Sequence, residues 1–140
     1  MIFLGTIKYE KMDDDGVQKV VSEKYLFEAE DFTQAERFFY VKMTPFLSGE
    51  YKVVELRPQK ACEVLRSDDG AADSWFLAKV AFITLDEKTA KEKRTIQKFY
   101  VEAVDFSDAL ARVVNELSKS MCEFVFVSLQ ETPVVDYLCS

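Results

Sequence analysis

Two stretches of this 140-residue chain lie over one another almost residue for residue. Tyr25 through Ala35 falls on Phe99 through Ala109 at constant spacing, so that Ala29 meets Ala103, Asp31 meets Asp105 and Phe32 meets Phe106. The flanks follow one residue closer: Phe3 through Tyr9 falls on Phe76 through Phe82, and Glu50 through Leu56 on Glu123 through Leu129. A sequence period of this length means one supersecondary unit built twice, which restricts the architecture more than any other feature of the chain.

Each unit opens with a hairpin. Phe3, Ile7 and Tyr9 alternate with Thr6, Lys8 and Glu10, the period of a half-buried strand. Asp13-Asp14-Asp15-Gly16 supplies the turn, because Asp and Gly tolerate left-handed backbone. The return strand carries Val21, Tyr25, Phe27 and Ala29 on one face. In the second unit the same faces read Phe76, Ala78, Val80 and Phe82, then Phe99, Val101 and Ala103, across a charged turn over 86–93.

A helix follows. Asp31 and Asp105 stand at N-cap positions, with Gln34 and Asp108 three residues on, as in a capping box. Ala35, Phe38, Phe39 and Met43, and Ala109, Leu110, Val113, Val114, Leu117 and Met121, keep helical spacing and predict helices over 32–43 and 106–119. Thr44-Pro45 ends the first. A third strand covers Tyr51 to Leu56 and Phe124 to Leu129, Pro58 and Pro133 break the chain, and a short apolar segment closes each unit at Cys62–Leu65 and Val135–Leu138.

The expected fold class is α+β: a tandem pseudo-twofold repeat of a β-β-α-β unit with a short closing strand, and two helices packed on antiparallel sheet. Residues 1–66 form the first repeat, 67–74 a linker and 75–140 the second. The units are expected to combine either as one continuous sheet with both helices on one side or as two facing layers. Edge strands left by such a repeat invite a homo-oligomer.

Chemistry is thin. The chain has no histidine, which removes the commonest general base and metal ligand together. Cys62, Cys122 and Cys139 are far apart and form no CxxC, so neither a zinc site nor a metal of any kind is expected. Asp13-Asp14-Asp15-Gly16 lacks the remaining ligands of a calcium loop. Ser48-Gly49 is no nucleophile elbow, and four glycines leave no phosphate loop. Glu28 and Glu102 recur at equivalent positions, as repetition alone requires. No enzyme and no cofactor is expected. The net charge of −7 disfavours duplex nucleic acid. The N-terminus has no basic leader, and no apolar run approaches the roughly 20 residues that span a bilayer. A cytoplasmic protein without membrane contact is the expectation.

Several stretches carry a family pattern: Tyr9-Glu10-Lys11, Ala29 through Glu36, Pro45-Phe46-Leu47-Ser48-Gly49-Glu50-Tyr51, Asp73 through Lys79 and Phe82 through Lys88. With these motifs the chain resembles a family of small proteins, a domain of unknown function, found in anaerobic gut bacteria and their phages. The resemblance implies a mobile-element setting and no particular chemistry.

Aromatic and cationic residues supply the candidate ligand site. Leu26, Tyr40, Tyr100, Phe124 and Phe126 fall off the main apolar stripes; they are expected to fill a dimer interface or the second side of a layered fold, with an exposed stacking surface as the rival reading. Arg57, Lys60, Arg66 and Trp75 cluster in sequence around the junction of the repeats, where guanidinium and indole would pair a phosphate and stack a base. The first expectation is therefore a non-enzymatic phage accessory that binds a small anionic, nucleotide-like ligand and sequesters a host signalling nucleotide. The alternatives are a single-stranded nucleic-acid-binding accessory of replication or recombination, using the basic cluster Lys88, Lys91, Lys93, Arg94 and Lys98, and a structural or protein-interaction module without a ligand.

Overall fold

The computed structural model describes residues 1–47 and 49–139; Ser48 lies outside them. The chain runs β1 (Ile2–Met12), β2 (Gln18–Glu28), α1 (Phe32–Met43), β3 (Tyr51–Gln59), β4 (Cys62–Leu65), β5 (Ser74–Leu85), β6 (Glu92–Ala103), α2 (Phe106–Leu117), β7 (Glu123–Thr132) and β8 (Val134–Leu138). The fold is α+β, with two similar β-β-α-β units. The strands form two four-stranded sheets, ordered β3-β1-β2-β8 and β4-β6-β5-β7, so the continuous single sheet is not the arrangement found.

The closing strands change places. β4 follows the first repeat but pairs in parallel with β6 of the second sheet, Cys62 opposite Lys98 and Leu65 opposite Val101. β8 ends the second repeat but pairs in parallel with β2 of the first, Tyr25 opposite Asp136 and Phe27 opposite Leu138. The compact units are therefore 1–60 with 133–140, and 61–132. Distance limits the choice. In the order β3-β1-β2 the edge beyond β2 lies three strand spacings or about 14 Å from β3. The link from Gln59 to Cys62 is Lys60-Ala61, and its three Cα steps reach at most about 11 Å. A closing strand cannot cross its own sheet on that tether, so each sheet also holds one parallel pair where only antiparallel pairing was expected.

Within each unit one helix covers one sheet face. In the first, Phe3, Ile7, Tyr25, Phe27 and Ala29 meet Ala35, Phe39 and Met43. In the second, Phe76, Ala78, Val80, Phe99, Val101 and Ala103 meet Ala109, Val113 and Leu117. The strand alternation selects the inward residues as expected, and so does helical spacing at Ala35, Phe39 and Met43 and at Ala109, Val113 and Leu117; Leu110 and Val114, expected on the same stripe, are exposed, and Met121 lies beyond the end of α2 and is fully exposed. The Asp31 carboxylate accepts the Gln34 N–H (2.8 Å), and Gln34 Oε1 accepts the Glu30 N–H (2.6 Å). Asp105 likewise accepts from Asp108 N (2.8 Å), and Asp108 accepts from Val104 N (2.9 Å). Each box thus closes one residue further out than the capping-box pattern, on the N–H before the N-cap.

The first helix ends at Met43, as Thr44-Pro45 predicts, and Thr44–Phe46 follows as a 3-10 turn with Pro45 near its start, where the missing N–H costs nothing. Two local expectations need correction. α2 stops at Leu117, short of 119, with Ser118 capping it. Pro58 does not break the chain; it sits inside β3 opposite Phe3, tolerated because β3 is an edge strand with solvent on its outer side. The turn at Asp13 is as expected, with its Oδ1 accepting the N–H groups of Asp15 and Val17.

Candidate functional site

The first unit has a cleft of about 310 Å³ on its helix-covered face, beside the C-terminal end of α1. Its walls are Tyr9, Glu23 and Tyr25 from the hairpin, Met43 and Phe46 from the end of the helix and the turn after it, and Asp136 from the exchanged strand β8, with Leu47, Val135 and Leu138 completing the apolar part. Strand alternation puts the polar members together. Glu23 lies opposite Ile7 and Tyr25 opposite Gly5, so both side chains point to the helix side with Tyr9. Asp136 joins them because β8 brings it level with Tyr25.

Tyr9, Glu23 and Tyr25 form a hydrogen-bonded set. The Tyr25 hydroxyl donates to Glu23 Oε1 at 3.2 Å. Burial raises the Tyr25 phenol well above its ordinary pKa, and the charges of Glu23 and Asp136 push it the same way. The Tyr9 phenol is also raised, first by burial and then by its hydrogen bond to Glu23. Both tyrosines are therefore neutral hydroxyls at any physiological pH. Neither phenolate nor imidazole is available, so the cleft offers two hydroxyls and two carboxylates for hydrogen bonding.

The second unit has the corresponding cleft, about 260 Å³, lined by Phe82, Gln97, Phe99 and Leu117 with Glu63 from β4. Position by position, Phe82 stands for Tyr9, Gln97 for Glu23, Phe99 for Tyr25 and Glu63 for Asp136. The apolar shape persists while the hydroxyls and the central carboxylate are gone. Gln97 instead ties down the chain at the entry to β4, where its Nε2 donates to the Ala61 carbonyl at 3.0 Å. A Lys119–Glu116 pair at 3.3 Å also borders this cleft.

The family described as Domain of unknown function (DUF4494) matches residues 1–139, a span that runs through both units and the residues of both clefts. The chain belongs to the DUF4494 family. No curated protein and no solved structure matches it.

In this DUF4494 chain the four residues nominated from sequence are placed as follows. Arg57, in β3, holds Glu55 Oε1 at 2.8 Å, and Lys60 lies in the turn after it. Arg66 and Trp75 belong to the second unit. Trp75 is 1 % exposed, so its ring faces protein and offers no stacking platform. Arg66 lines a second cleft of that unit, about 260 Å³, with Arg112, Asn115 and Glu116, and Trp75 is not among its walls. Arg112 Nε also donates to Asp108 at 3.2 Å.

The side chains that fall off the main stripes are largely withdrawn from solvent. Leu26 and Tyr100 are buried, and Phe124 and Phe126 pack against the second core. Tyr40 is tied down by its hydroxyl, which accepts the Val53 N–H at 3.1 Å. The repeated glutamates have local structural partners: Glu102 accepts the Ser67 N–H at 3.0 Å. From sequence, Tyr9 and Tyr25 stood as strand residues, Tyr9 also in a family motif, and Glu23 was not singled out. The signal that marks them is the pairwise loss of Tyr, Glu and Tyr to Phe, Gln and Phe between repeats, with Glu23 sharing the parity of the core face. Among the described residues no group of acidic or thiol side chains is arranged to hold a metal, and no helix is long and apolar enough to cross a membrane.

Proposed function

We propose that this DUF4494 protein is a non-enzymatic binding protein whose first-unit cleft takes a small ligand. The observation that carries this reading is the convergence of Tyr9, Glu23, Tyr25 and Asp136, drawn from three strands, on one partly apolar cavity large enough for a compact organic molecule. Folding does not require that set at that place, since the equivalent position in the second unit is built from Phe, Gln and Phe. A concave apolar floor with a few oriented polar groups is how small-molecule sites achieve orientation. Native mass spectrometry of protein taken directly from cells tests it. A co-purified small molecule is expected on the native chain and is expected to be lost from Val135→Trp, which places an indole in the cleft from a half-exposed position. Protein that carries no adduct, or an adduct that Val135→Trp leaves unchanged, counts against the cleft.

A second reading keeps the anionic, nucleotide-like ligand, and the cleft shared by Arg66 and Arg112 favours it. On that reading a phosphate lies across two guanidinium groups, and the protein serves as a phage accessory that sequesters a signalling nucleotide. Calorimetry against cyclic and linear nucleotides and an oligothymidylate, at two salt concentrations, distinguishes it. A nucleotide site should lose affinity with Arg66→Ala, whereas single-strand binding should fall steeply with salt. Silence across that panel and in the mass spectrometry would leave a protein-interaction module.

A further inference from the structure

We propose that the ligand of the first-unit cleft is an organic ammonium with a small apolar body. This inference rests on the binding role proposed above and adds the chemical class. The cleft has two carboxylates, Glu23 and Asp136, and no lysine or arginine among its walls. Among the described residues neither carboxylate is engaged in an ion pair, so negative charge faces the cavity uncompensated. The Asp136 Oδ1 accepts the Tyr137 N–H at 2.8 Å, which fixes the carboxylate without neutralising it. The cavity adjoins the C-terminal end of α1, the negative pole of the helix dipole. Tyr9, Tyr25 and Phe46 add aromatic rings, whose faces attract cations.

The apolar residues decide the remainder of the ligand. Met43, Leu47, Val135 and Leu138 give a floor for hydrocarbon, with methionine able to adapt its shape. Among the described residues no group of acidic or thiol side chains is arranged for a bare metal ion, and the apolar floor suits a ligand that carries hydrocarbon. An anion is disfavoured by both carboxylates and by the helix end. The second-unit cleft provides an internal comparison in the same chain, because it keeps a cavity with the carboxylate of Glu63, and that of Glu116 paired with Lys119, but lacks the tyrosine hydroxyls and the carboxylate at position 97.

The test is methyl NMR on the full chain, with the Met43 methyl reporting the first cleft and the Leu117 methyls the second. Four probes share one body: phenethylammonium, benzyltrimethylammonium, neutral 2-phenylethanol and phenylacetate. Both ammonium probes are expected to shift Met43, to leave Leu117 in place, and to bind at least about ten-fold tighter than 2-phenylethanol, the scale of one charge-assisted contact. The triple variant Tyr9→Phe, Glu23→Gln, Tyr25→Phe should fold, because it writes the second unit's residues into the first, and should lose that preference. The reverse set, Phe82→Tyr, Gln97→Glu, Phe99→Tyr, should bring ammonium-induced shifts to Leu117. Equal binding of 2-phenylethanol and the ammonium probes at Met43 overturns the ligand class and leaves the binding role intact. Shifts from phenylacetate alone do the same. If no probe moves Met43, the ligand class is overturned; a co-purified adduct would then still uphold the binding role, and its absence would remove both.

Discussion

Phe39 lies so close over Gly5 that a Cβ on the glycine would stand 2.5 Å from its Cε2 and 2.8 Å from its Cδ2. Phe27 closes the same space from the side, at 2.8 Å. The second unit solves the same contact with the volumes reversed: Ala78 occupies the strand position and Val113 the helix position, both fully buried. The pairs Gly5/Phe39 and Ala78/Val113 are thus two fillings of one site. Gly5→Ala is expected to destabilise the protein by about 1–3 kcal/mol through overpacking. In the double variant Gly5→Ala, Phe39→Val the loss should be smaller than the sum of the two single losses, read by chemical denaturation. Strict additivity would mean the two residues do not share this contact.

Ala35 and Ala109 are both fully buried where their helices meet the sheets. Replacing either with Leu adds three carbons to a filled space and should cost about 1–3 kcal/mol in unfolding experiments. Neutral results at both positions would mean that the helix faces are turned otherwise than described.

The two N-caps should be worth similar amounts. Asp31→Ala and Asp105→Ala are each expected to lose about 0.5–2 kcal/mol, because each leaves a first-turn N–H without its carboxylate. Asp108 adds a pH dependence. Its carboxyl is held below the usual value chiefly by the Val104 N–H, with Arg112 assisting. A depressed folded pKa gives stability that is present above the unfolded pKa and lost as pH falls through the folded one. Asp108→Asn should therefore flatten the acid side of the stability profile below about pH 4. An unchanged acid limb would show that the bond does not survive in solution.

Removing 134–140 should act on the first unit before the second. β8 is the outer neighbour of β2, so its deletion strips partners from Lys24 to Phe27 and exposes that edge. Hydrogen exchange should accelerate along β2 and remain slow along β6, whose outer partner is β4. Faster exchange in β6 than in β2 would contradict the exchanged pairing.

Thiol chemistry should separate the cysteines. Burial pushes the Cys62 thiol up to about 11, while Cys122 is exposed. At neutral pH the thiolate fraction at Cys62 is correspondingly small. Alkylation followed by peptide mass analysis should label Cys122 well before Cys62, and Cys62 labelling should accelerate on unfolding. Equal rates in the folded protein would place Cys62 at the surface.

Much of the local structure was legible because it is periodic or has a fixed chemical signature. Alternation set the inward faces of β1, β2, β5 and β6, helical spacing set Ala35, Phe39 and Met43 against the sheet, and Asp31 and Asp105 marked both helix starts. The sequence itself carried the equivalence of the repeats. Strand partnership was not legible. Cys62–Leu65 and Val135–Leu138 are short apolar segments that look alike, and nothing in either says which sheet it enters; the reach of Lys60-Ala61 bars the far edge of the first sheet, and the tertiary pairing decides the rest. The exchange then decides the candidate site, since Asp136 meets Tyr25 only because β8 crosses into the first unit. Burial was equally a tertiary matter. Trp75, Leu26 and Tyr100 lie off the helix-facing stripes, where sequence periodicity leaves open an exposed face, a subunit interface or a second packed layer, and all three are shielded from solvent in the folded chain. A strand's pattern distinguishes its two faces, and only the packing of whole elements determines whether the second face meets water.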